Sequence, residues 1–333
     1  MTKSLLDAHD AILSDLDGVV YAGPLAIEGA PDALNRAQDA GVQVAFVTNN
    51  ASRSVDAVAE HLVELGVTTD AEHVISSAQA AAELLAAQLP AGAKVLITGA
   101  QALADCVQAA GLTPVQSQHD EPVAVAQGFN PKMVWEDLAE AAYTLADKSV
   151  LWVASNTDFT IPKERGIAPG NGTLVGAVAT ATGRQPQVAG KPESPIFTTA
   201  AQKLGSTSPV VVGDRLDTDI QGGNRAQIST AMVMTGVDTY QSVLAAITIE
   251  RPTYIIETLE GFFEPYPQID VEVTPTGARA EAAGFVAEVK GNELTLNGAG
   301  AEVDSWRVAC AAWWVAHPDV HEAPRAPEVF NRG

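Results

Sequence analysis

The sequence predicts an α/β protein with a doubly wound parallel sheet, because short apolar runs alternate with helical segments in the order βαβαβ over residues 11–75. Parallel strands need crossover helices, so this order indicates a sheet covered by helices, with ligands beyond the carboxyl ends of its strands. The alternation resumes after residue 188. Residues 79–187 carry strands and helices of their own, which predicts a second α/β unit inserted into the first.

The predicted core elements follow local signals in the chain. Strands are short apolar runs bounded by turn residues, and helices begin near a capping residue or proline and end at glycine. The core strands are predicted at 11–13, 42–47, 73–75, 209–212, 231–234 and 253–256, and the core helices at 31–40, 54–65 and from 217 onward.

The inserted unit and the C-terminal region have simpler patterns. In the insert, strands are predicted at 95–97, 123–125 and 150–153, a helix at 132–146 and a Pro/Gly-rich loop at 166–172. Prolines after Phe263 indicate a linker. A hairpin over 284–296, a helix over 306–316 and a loose end from 318 are predicted to follow it. The predicted domains are therefore a core of 1–78 and 188–262, an insert of 79–187 and a small region of 263–333.

Composition limits the classes of partner and compartment. Lys and Arg number 19 against 41 Asp and Glu, a net charge of −22, which argues against nucleic acid and anionic membranes as partners. The N-terminus has no signal-peptide pattern, and no uninterrupted apolar run is long enough to cross a membrane. The two cysteines suit buried reduced thiols, so we predict a cytoplasmic protein.

The first chemical signal is a pair of carboxylates directly after the first strand. Asp15 and Asp17 can both point into one crevice, where one attacks and the other transfers a proton, while Gly18 lets the chain turn away. Calcium loops and ordinary turns contain the same pattern, and they remain alternatives for this stretch alone.

Two further stretches offer groups that bind anions. Thr48 and Asn49 follow a buried strand, where a hydroxyl and backbone N–H groups can hold phosphate oxygens; a plain helix-capping turn is the alternative. Pro192 and Glu193 suit the first turn of a helix, which would place the Lys191 ammonium beside a helix N-terminus. A solvated surface lysine is the alternative there.

The fourth stretch follows the apolar run 209–212 and is rich in acidic residues. Asp214 and Asp219 can both approach a divalent cation, and oxygen ligands suit Mg²⁺, whereas Asp217 is predicted to cap the helix that follows. Nucleophilic carboxylate, hydroxyl, lysine and acidic pair, each after a predicted strand, together predict phosphoryl transfer, which depends mainly on positioning and charge neutralisation.

At these residues the sequence resembles the haloacid dehalogenase (HAD) superfamily, and within it the NagD, p-nitrophenyl phosphatase and phosphoglycolate phosphatase group. The resemblance covers about residues 10–262 and implies a HAD-like Rossmannoid core with an inserted α/β cap and a small C-terminal extension. The segments that match the group's motifs are 15–21, 47–50, 190–192 and 213–219 in the core and 155–158 and 169–172 in the cap.

The resemblance implies a role for each core residue. Asp15 would be the nucleophile that becomes phosphorylated, and Asp17 would protonate the leaving oxygen and then deprotonate the attacking water. Thr48 and Lys191 would bind the phosphoryl group with help from the Asn49 backbone.

The resemblance also implies Mg²⁺ as cofactor. Asp15, the carbonyl of Asp17 and Asp214 would hold the ion, and Asp219 would support the site from nearby. The resemblance does not choose between Mg²⁺, Mn²⁺ and Co²⁺.

The cap is expected to decide which ester is accepted. Asn156, Asp158 and the loop 165–172 are candidates for contact with the leaving group, with plain cap structure as the equal alternative. Asn130 stands where the family's cap usually has Asp, so the chemistry of the cap is expected to differ there.

The whole chain looks like actinobacterial members of the group, which implies a small-molecule phosphate ester, specifically glycerol 3-phosphate, as substrate. Phosphoglycolate and sugar phosphates remain alternatives, because they need similar cores. The C-terminal region resembles an acetyltransferase-like remnant without a Gly-rich coenzyme A loop, so a structural role or a homodimer interface is expected.

Other kinds of protein remain as alternatives to a phosphatase. A phosphotransferase or mutase would use the same core, and a non-catalytic receiver module would be phosphorylated at a strand-end Asp; Asp17 argues against the receiver because it hastens phosphate loss. A Rossmann-type nucleotide-binding protein is disfavoured, since no G-x-G-x-x-G follows the first strand.

Overall fold

The structure, a computed structural model, describes residues 3–51, 53–163 and 165–332. The chain divides into two compact units, Met1–Val44 with Ser206–Gly333 and Ala45–Gly205, which we call unit 1 and unit 2. These two units do not coincide with the three predicted domains, whose boundaries stay a prediction.

The strands are mostly short, as expected for an α/β protein. They are β1 (Ala11–Ser14), β2 (Tyr21–Ala22), β3 (Leu25–Ala26), β4 (Gln43–Thr48), β5 (Val74–Ser76), β6 (Lys94–Thr98), β7 (Thr113–Val115), β8 (Ala124–Gln127), β9 (Leu151–Ala154), β10 (Thr160–Lys163), β11 (Gly166–Pro169), β12 (Gln187–Val188), β13 (Pro209–Gly213), β14 (Ser229–Val233), β15 (Tyr254–Ile256), β16 (Asp270–Thr274), β17 (Gly277–Ala282), β18 (Phe285–Lys290), β19 (Glu293–Gly298) and β20 (Val329–Arg332).

The helices alternate with these strands. They are α1 (Ala30–Asp39), α2 (Val55–Glu64), α3 (Ser77–Ala86), α4 (Gln101–Ala109), α5 (Trp135–Leu145), α6 (Asn171–Thr182), α7 (Pro195–Leu204), α8 (Gln221–Arg225), α9 (Tyr240–Ala245) and α10 (Glu302–Ala316), and a π-helical turn covers Leu216–Ile220.

In unit 1, four parallel strands lie in the order β15-β14-β13-β1. Ser14 lies opposite Val212, so the residues after β1 and after β13 leave the same edge of the sheet. Strands β1 and β13 are buried except at Pro209, because they consist almost entirely of apolar residues on both faces, as parallel strands under helices require. This register brings the first and fourth predicted motifs side by side.

In unit 2, β4 pairs in parallel with β5, and a second parallel sheet has the order β12-β9-β8-β6-β7. Helices α5 and α6 cover one face of that sheet, where Trp152, Leu145 and Val175 form part of its core. Helix α2 begins as predicted, since the Ser54 hydroxyl accepts a hydrogen bond from the Ala57 N–H. The predicted α/β class with parallel sheets is confirmed.

Two predictions for unit 2 are wrong. The predicted loop 166–172 contains strand β11, which pairs antiparallel with β10, and the first two residues of α6. Pro and Gly also suit a short two-stranded hairpin, so their density did not distinguish it from a loop. The helix expected from Pro192 begins three residues later, with Pro195 at its first turn.

The C-terminal part of unit 1 is a five-stranded sheet with α10 packed against it. The predicted hairpin is confirmed as β18 and β19, and the predicted helix as α10. The end of the chain was expected to be loose, but β20 pairs in parallel with β19. Phe330 packs edge-on against Trp306, and this aromatic contact explains why the segment is ordered. No helix in the described residues is long and apolar enough to cross a membrane.

Candidate active site

Three carboxylates of unit 1 converge at the edge of the sheet where β1 and β13 end. Asp15, Asp214 and Asp219 each offer an oxygen, and these atoms all lie within 4.8 Å of one another. The Asp15 N–H donates to the Val212 carbonyl at 2.9 Å, which continues the strand pairing up to the first carboxylate. Two motifs separated by some two hundred positions therefore meet, as the sequence predicted.

Asp214 is almost fully buried and lies between two glycines. Its exposure is 2%, and its Oδ2 accepts a hydrogen bond of 2.7 Å from the Val237 N–H. A Cβ added at Gly18 would lie 2.2 Å from that oxygen, and one at Gly236 would lie 2.0 Å from it. Only glycine lets the backbone at these two positions come so close to the Asp214 carboxylate, so any side chain there would collide with it.

Asp219 is fully buried in the π-helical turn. A Cβ added at Gly213 would lie 2.1 Å from the Asp219 Cβ, so the last residue of β13 must also be glycine. The Asp219 carboxylate accepts a hydrogen bond of 3.3 Å from the Arg215 N–H. Leu216 and Ile220 at the ends of the turn are buried in an apolar core, which fixes the turn from its other side.

Asp217 was predicted to cap a helix, and this prediction is wrong. The turn already begins at Leu216, and the exposed Asp217 carboxylate instead accepts two hydrogen bonds, of 3.0 and 2.9 Å, from the Arg215 guanidinium. This bond, with the charges of Asp217, Asp219 and Asp214, raises the pKa of Arg215 above its ordinary value despite partial burial. A permanent positive charge therefore stands beside the acidic cluster.

Asp17 lies on a tight turn directly after the first strand. Leu16 before it is buried, whereas Asp17 is exposed and Asp15 is half-buried. Gly18 has φ +79°, and its N–H donates to the Tyr21 carbonyl at 2.8 Å, which closes the turn. Asp15 thus belongs to the acidic cluster, whereas Asp17 is exposed to solvent. The roles of nucleophile and proton carrier stay predictions for these two residues.

In unit 2, Asn49 joins the second and third predicted motifs. Its side chain donates to the Lys191 carbonyl at 3.1 Å and accepts from the Lys191 N–H at 2.8 Å. The Thr48 hydroxyl accepts from the Asn50 N–H at 3.1 Å. Lys191 is only 4% exposed, so its cation is held out of bulk water, unlike the solvated surface lysine that was the alternative. The predicted phosphate-binding role of these residues stays a prediction.

The two cap candidates belong to the same hydrogen-bond network. The Asn49 amide donates to both Asp158 oxygens, at 3.1 and 3.3 Å, and the buried Asn156 amide donates to the Asn49 carbonyl at 2.7 Å. A Cβ at Gly172 would lie 2.1 Å from the Thr157 carbonyl oxygen, so the predicted cap loop packs closely on this segment. These bonds favour a structural role for Asn156, and substrate contact by either residue stays a prediction.

Asn130, where the family usually has Asp, has a local explanation. Its amide donates to the Gly99 carbonyl at 3.2 Å, and its Oδ1 accepts from the Lys132 N–H at 2.9 Å. A carboxylate can accept the second bond but cannot donate the first. The amide therefore ties two loops of unit 2 together without a charge.

The sequence reasoning missed the segment that supports Asp214. Thr235 donates its hydroxyl hydrogen bond to the Gly18 carbonyl at 2.6 Å, and Val237 and Asp238 both bond Asp214. Gly236, three residues after the end of β14, is a signal that was available, since loops at the carboxyl ends of parallel strands surround ligand sites.

The donor set at the sheet edge fits a hard divalent cation. Two of the three carboxylates are buried, and three negative charges within 4.8 Å repel one another unless a cation compensates them. Carboxylate oxygens are the preferred ligands of Mg²⁺ and Ca²⁺. Asp17 was predicted to contribute its main-chain carbonyl, and this ligand stays a prediction.

Two family models match the parts of the chain that carry these motifs. A model described as haloacid dehalogenase-like hydrolase matches residues 12–113, and a HAD-hydrolase-like model matches residues 188–262. The predicted resemblance to this superfamily is therefore confirmed.

Similar proteins extend the match over nearly the whole chain. D-glycerol 3-phosphate phosphatase of Mycobacterium tuberculosis is 43% identical over 97% of this chain and 91% of its own length. A crystal structure of glycerol phosphate phosphatase from that bacterium in complex with magnesium has a TM-score of 0.88 at 42% identity, covering 99% of this chain and 95% of that one. A p-nitrophenyl phosphatase from Archaeoglobus fulgidus has a TM-score of 0.69 at 30% identity, covering 77% and 98%. This chain belongs to the haloacid dehalogenase-like hydrolases.

Proposed function

We propose that this chain is a Mg²⁺-dependent phosphatase that hydrolyses glycerol 3-phosphate to glycerol and phosphate through an aspartyl-phosphate intermediate. The observation that carries the proposal is the convergence of oxygens of Asp15, Asp214 and Asp219 within 4.8 Å, with a fourth carboxylate, the exposed Asp17, two residues after Asp15. A cation site adjoining a nucleophile and a proton carrier is what phosphoryl transfer to water requires.

The choice of ester is supported by similarity. The relative that is 43% identical is a D-glycerol 3-phosphate phosphatase, and its match spans nearly the full length of both chains, including the C-terminal region. Phosphoglycolate and sugar phosphates are the competing esters. They differ from glycerol 3-phosphate in the leaving group, so a comparison of esters tests this part of the proposal.

The first half of the reaction forms the intermediate. One oxygen of Asp15 attacks phosphorus as the bond to the ester oxygen breaks, and Asp17 gives its proton to the departing alkoxide. Asp15 is half-buried and its backbone is held by the Val212 carbonyl, so the nucleophile needs little reorganisation before it attacks.

The second half releases phosphate and restores the enzyme. Asp17, now ionised, takes a proton from water, and the oxygen of that water attacks phosphorus as the bond to Asp15 breaks. An exposed position suits Asp17 for this exchange, because its proton must come from solvent and return to it. Thr48 and Lys191 are proposed to bind the phosphoryl oxygens by a hydroxyl and an ammonium.

Asp15, Asp214 and Asp219 would hold Mg²⁺, with the carbonyl of Asp17 as a further ligand. When bound, the ion neutralises charge on the phosphoryl oxygens and on the carboxylates around it. The Asp214 carboxylate packs directly against the backbone of Gly18 and Gly236, and this close contact keeps it in place for cation binding.

The test is a comparison of glycerol 3-phosphate, phosphoglycolate, a sugar phosphate and p-nitrophenyl phosphate by kcat/KM with Mg²⁺. We expect the highest value for glycerol 3-phosphate and a loss of at least about 10³-fold in Asp15→Asn, because the amide cannot attack phosphorus. A preference for another ester would overturn the substrate, and an active Asp15→Asn variant would overturn the nucleophile.

Asp17→Asn distinguishes the phosphatase from its rivals. With p-nitrophenyl phosphate, whose leaving group needs no proton from Asp17, the variant lacks only the group that deprotonates water. It should therefore accumulate phosphorylated protein, visible as a mass increase of one phosphoryl group after acid quench. A receiver module would show the same mass in the wild type, and a phosphotransferase would transfer the phosphoryl group to a second alcohol as a new phosphate ester, with no free phosphate released. Phosphate release from the wild type with water as sole acceptor excludes both.

A cytoplasmic location and a homodimer are also part of the proposal. The location is supported by two cysteines far apart in sequence, both free thiols in the structure, which suit a reducing compartment. Light scattering at several protein concentrations tests the dimer, and a monomer at every concentration would exclude it.

A further inference from the structure

The segment Thr235–Thr239, which we call the 235–239 loop, connects the acidic cluster to the C-terminal region. It leaves β14 at the same sheet edge as Asp15 and Asp214, and its last residue caps α9, because the Thr239 hydroxyl accepts from the Ser242 N–H at 3.3 Å. Apart from Gly236, no residue of this loop has a part in the proposed reaction, although the loop packs against Asp214.

Asp238 bonds the segment 214–216 twice, once through its backbone N–H and once through its side-chain carboxylate. Its N–H donates to the Asp214 carbonyl at 3.1 Å, and its carboxylate accepts from the Leu216 N–H at 2.8 Å. The neighbouring Val237 N–H donates to the Asp214 carboxylate at 2.7 Å. The side chain of Asp214 and the backbone that follows it are therefore held by two consecutive residues.

The carboxylate of Asp238 does not touch the cation site itself in these bonds. Leu216 is 5% exposed, so its N–H needs an acceptor within the protein, and a charged acceptor forms a stronger bond than a neutral one. Loss of this acceptor would free the start of the π-helical turn that carries Asp219. Asp238 acts through the backbone of the ligands and is a positioning residue.

The C-terminal region holds the other end of the loop. Tyr240, the residue after Thr239, stacks on Trp306 of α10 with ring centroids 5.4 Å apart and planes at 4°. Trp306 is 3% exposed and is covered on its outer side by Phe330 and by the guanidinium of Arg332, 4.3 Å from its ring. The last strand of the chain thus closes over the ring that Tyr240 stacks on.

A second path reaches the same turn through apolar packing. Leu216 and Ile220, at the two ends of the π-helical turn, belong to one buried cluster with Val243 of α9 and Trp306 and Cys310 of α10. The turn that carries Asp219 therefore rests on side chains supplied by the C-terminal region.

We propose that residues 263–333 serve as a support for the cation site, with Asp238 as the positioning residue that transmits this support to Asp214 and Asp219. The inference rests on the proposed function only in taking Mg²⁺ as the ion bound. It assigns the C-terminal region a part in cation affinity in place of a separate activity.

The first test measures the dissociation constant of Mg²⁺ by calorimetry on the full chain without substrate. Asp238→Ala should weaken binding by about tenfold, because a charge-assisted bond to a buried N–H is lost. Asp238→Asn should stay within about threefold of the wild type, since its amide oxygen still accepts from Leu216. Equal weakening in both variants would show that only the charge matters and would overturn the positioning role.

Asp10→Ala is the matched control for this pair. Asp10 also accepts backbone N–H bonds, from Thr207 and Ser208, but at the opposite end of β1 from Asp15. Its loss should lower stability and leave Mg²⁺ affinity unchanged. If Asp10→Ala weakened Mg²⁺ binding as much as Asp238→Ala, general loosening of the sheet would explain both, and the inference would fail.

The second test compares two tryptophans of α10. Trp306→Leu removes the stack on Tyr240 and should weaken Mg²⁺ binding by about threefold to tenfold. Trp313 belongs to the same buried cluster, but its ring lies beside His317 and donates to the Arg325 carbonyl, so Trp313→Leu leaves the stack in place and should have a smaller effect. If Trp306→Leu does not fold, Tyr240→Leu can be used in its place, because it removes the same stack by changing the less buried of the two rings. Equal affinities in both tryptophan variants, whether weakened or not, would overturn the support role.

The outcomes separate this inference from the proposed function. If no ester is hydrolysed but Asp238→Ala weakens Mg²⁺ binding selectively, the function fails and the inference stands. If glycerol 3-phosphate is hydrolysed and Asp238→Ala binds Mg²⁺ like the wild type, the inference alone fails.

Discussion

Asp214 shows how glycine shapes an acidic site without contributing a side chain. Its carboxylate is enclosed by Gly18 on one side and Gly236 on the other, with the Val237 N–H as hydrogen-bond donor. Gly18 also has a positive φ that other residues rarely adopt, whereas Gly236 is needed for space alone. Substitution at Gly236 therefore isolates the effect of crowding from that of backbone strain.

Gly236→Ala should displace the Asp214 carboxylate. The new Cβ would lie 2.0 Å from Oδ2 and 2.5 Å from the Asp214 Cβ, so the carboxylate or the loop must move. Because cation sites depend on ligand position to a few tenths of an ångström, we expect Mg²⁺ affinity to fall by about tenfold or more. Titration of activity and of heat release with Mg²⁺ would measure this loss.

Gly176→Ala is the control for that substitution. Gly176 lies within α6, and a Cβ there meets nothing within 4 Å. Alanine favours the helix over glycine, so this variant should gain about 0.5–1 kcal/mol in unfolding free energy with unchanged Mg²⁺ affinity. Unchanged Mg²⁺ affinity in Gly236→Ala would contradict the crowding argument.

Among the elements, the turn Leu216–Ile220 shows how one short segment contributes both to the acidic cluster and to the apolar core. The wider π-helical turn lets Asp219 face Gly213 while Leu216 and Ile220 face the apolar cluster. An Asp-rich stretch read from sequence predicts a cation site, but the π geometry depends on packing on both sides of the turn, which no local pattern encodes.

The elements that could be predicted are those with local signals. The buried strands 11–14 and 209–213 are apolar runs that end in acidic motifs, so both the sheet and the meeting of Asp15 with Asp214 followed from the sequence. Strand β20 could not be found in this way, because its ordering comes from pairing with β19 and from Trp306, both distant in sequence.

The site was predicted only where chemistry and sequence order coincide. Asp15, Asp214 and Asp219 were found because carboxylates after strands are recognisable, whereas the carboxylate of Asp238 bonds the backbone N–H of Leu216, a contact with no local sequence signal. A lone acid before a helix normally indicates a cap, and its actual partner is set by how the 235–239 loop folds back on the π-helical turn.

Asp10 at the start of β1 predicts a measurable pH dependence of stability. Burial alone would raise its pKa, but hydrogen bonds from Ser206, Thr207 and Ser208 lower it to about 2, from an ordinary value of 3.8. A carboxyl with a depressed pKa stabilises the fold above its unfolded pKa, and this contribution disappears as the pH falls through the folded value.

Urea unfolding of the wild type and of Asp10→Asn at several pH values measures how much the Asp10 carboxylate contributes to the free energy of unfolding. The wild type should be more stable by about 1 kcal/mol between pH 5 and 7, allowing for solvent screening, and the difference should shrink between about pH 4 and pH 2. A difference that stays constant down to pH 2 would show that the charge of Asp10 is not what its donors stabilise.

At the scale of the whole molecule, the net charge of −22 acts on both ligands of the proposed reaction in opposite directions. The field attracts Mg²⁺ toward the acidic cluster and repels a phosphate dianion. In the proposed reaction, Mg²⁺ and the buried Lys191 would be the local positive charges that compensate this field for the substrate. Added salt screens the long-range field but hardly affects contacts inside the site.

Raising the ionic strength from about 0.02 M to about 0.2 M shortens the screening length to below ~10 Å and should therefore separate the two effects. The dissociation constant of Mg²⁺ should rise severalfold, because part of its attraction is long-range. At saturating Mg²⁺ the KM for glycerol 3-phosphate should fall or stay level, because the repulsion of the dianion is screened. Tetramethylammonium chloride in place of sodium chloride controls for competition by a small cation at the site. If the dissociation constant of Mg²⁺ and the KM for glycerol 3-phosphate both rise in either salt, long-range repulsion by the acidic surface does not limit binding of the substrate. The positive charges within the site would then control substrate binding.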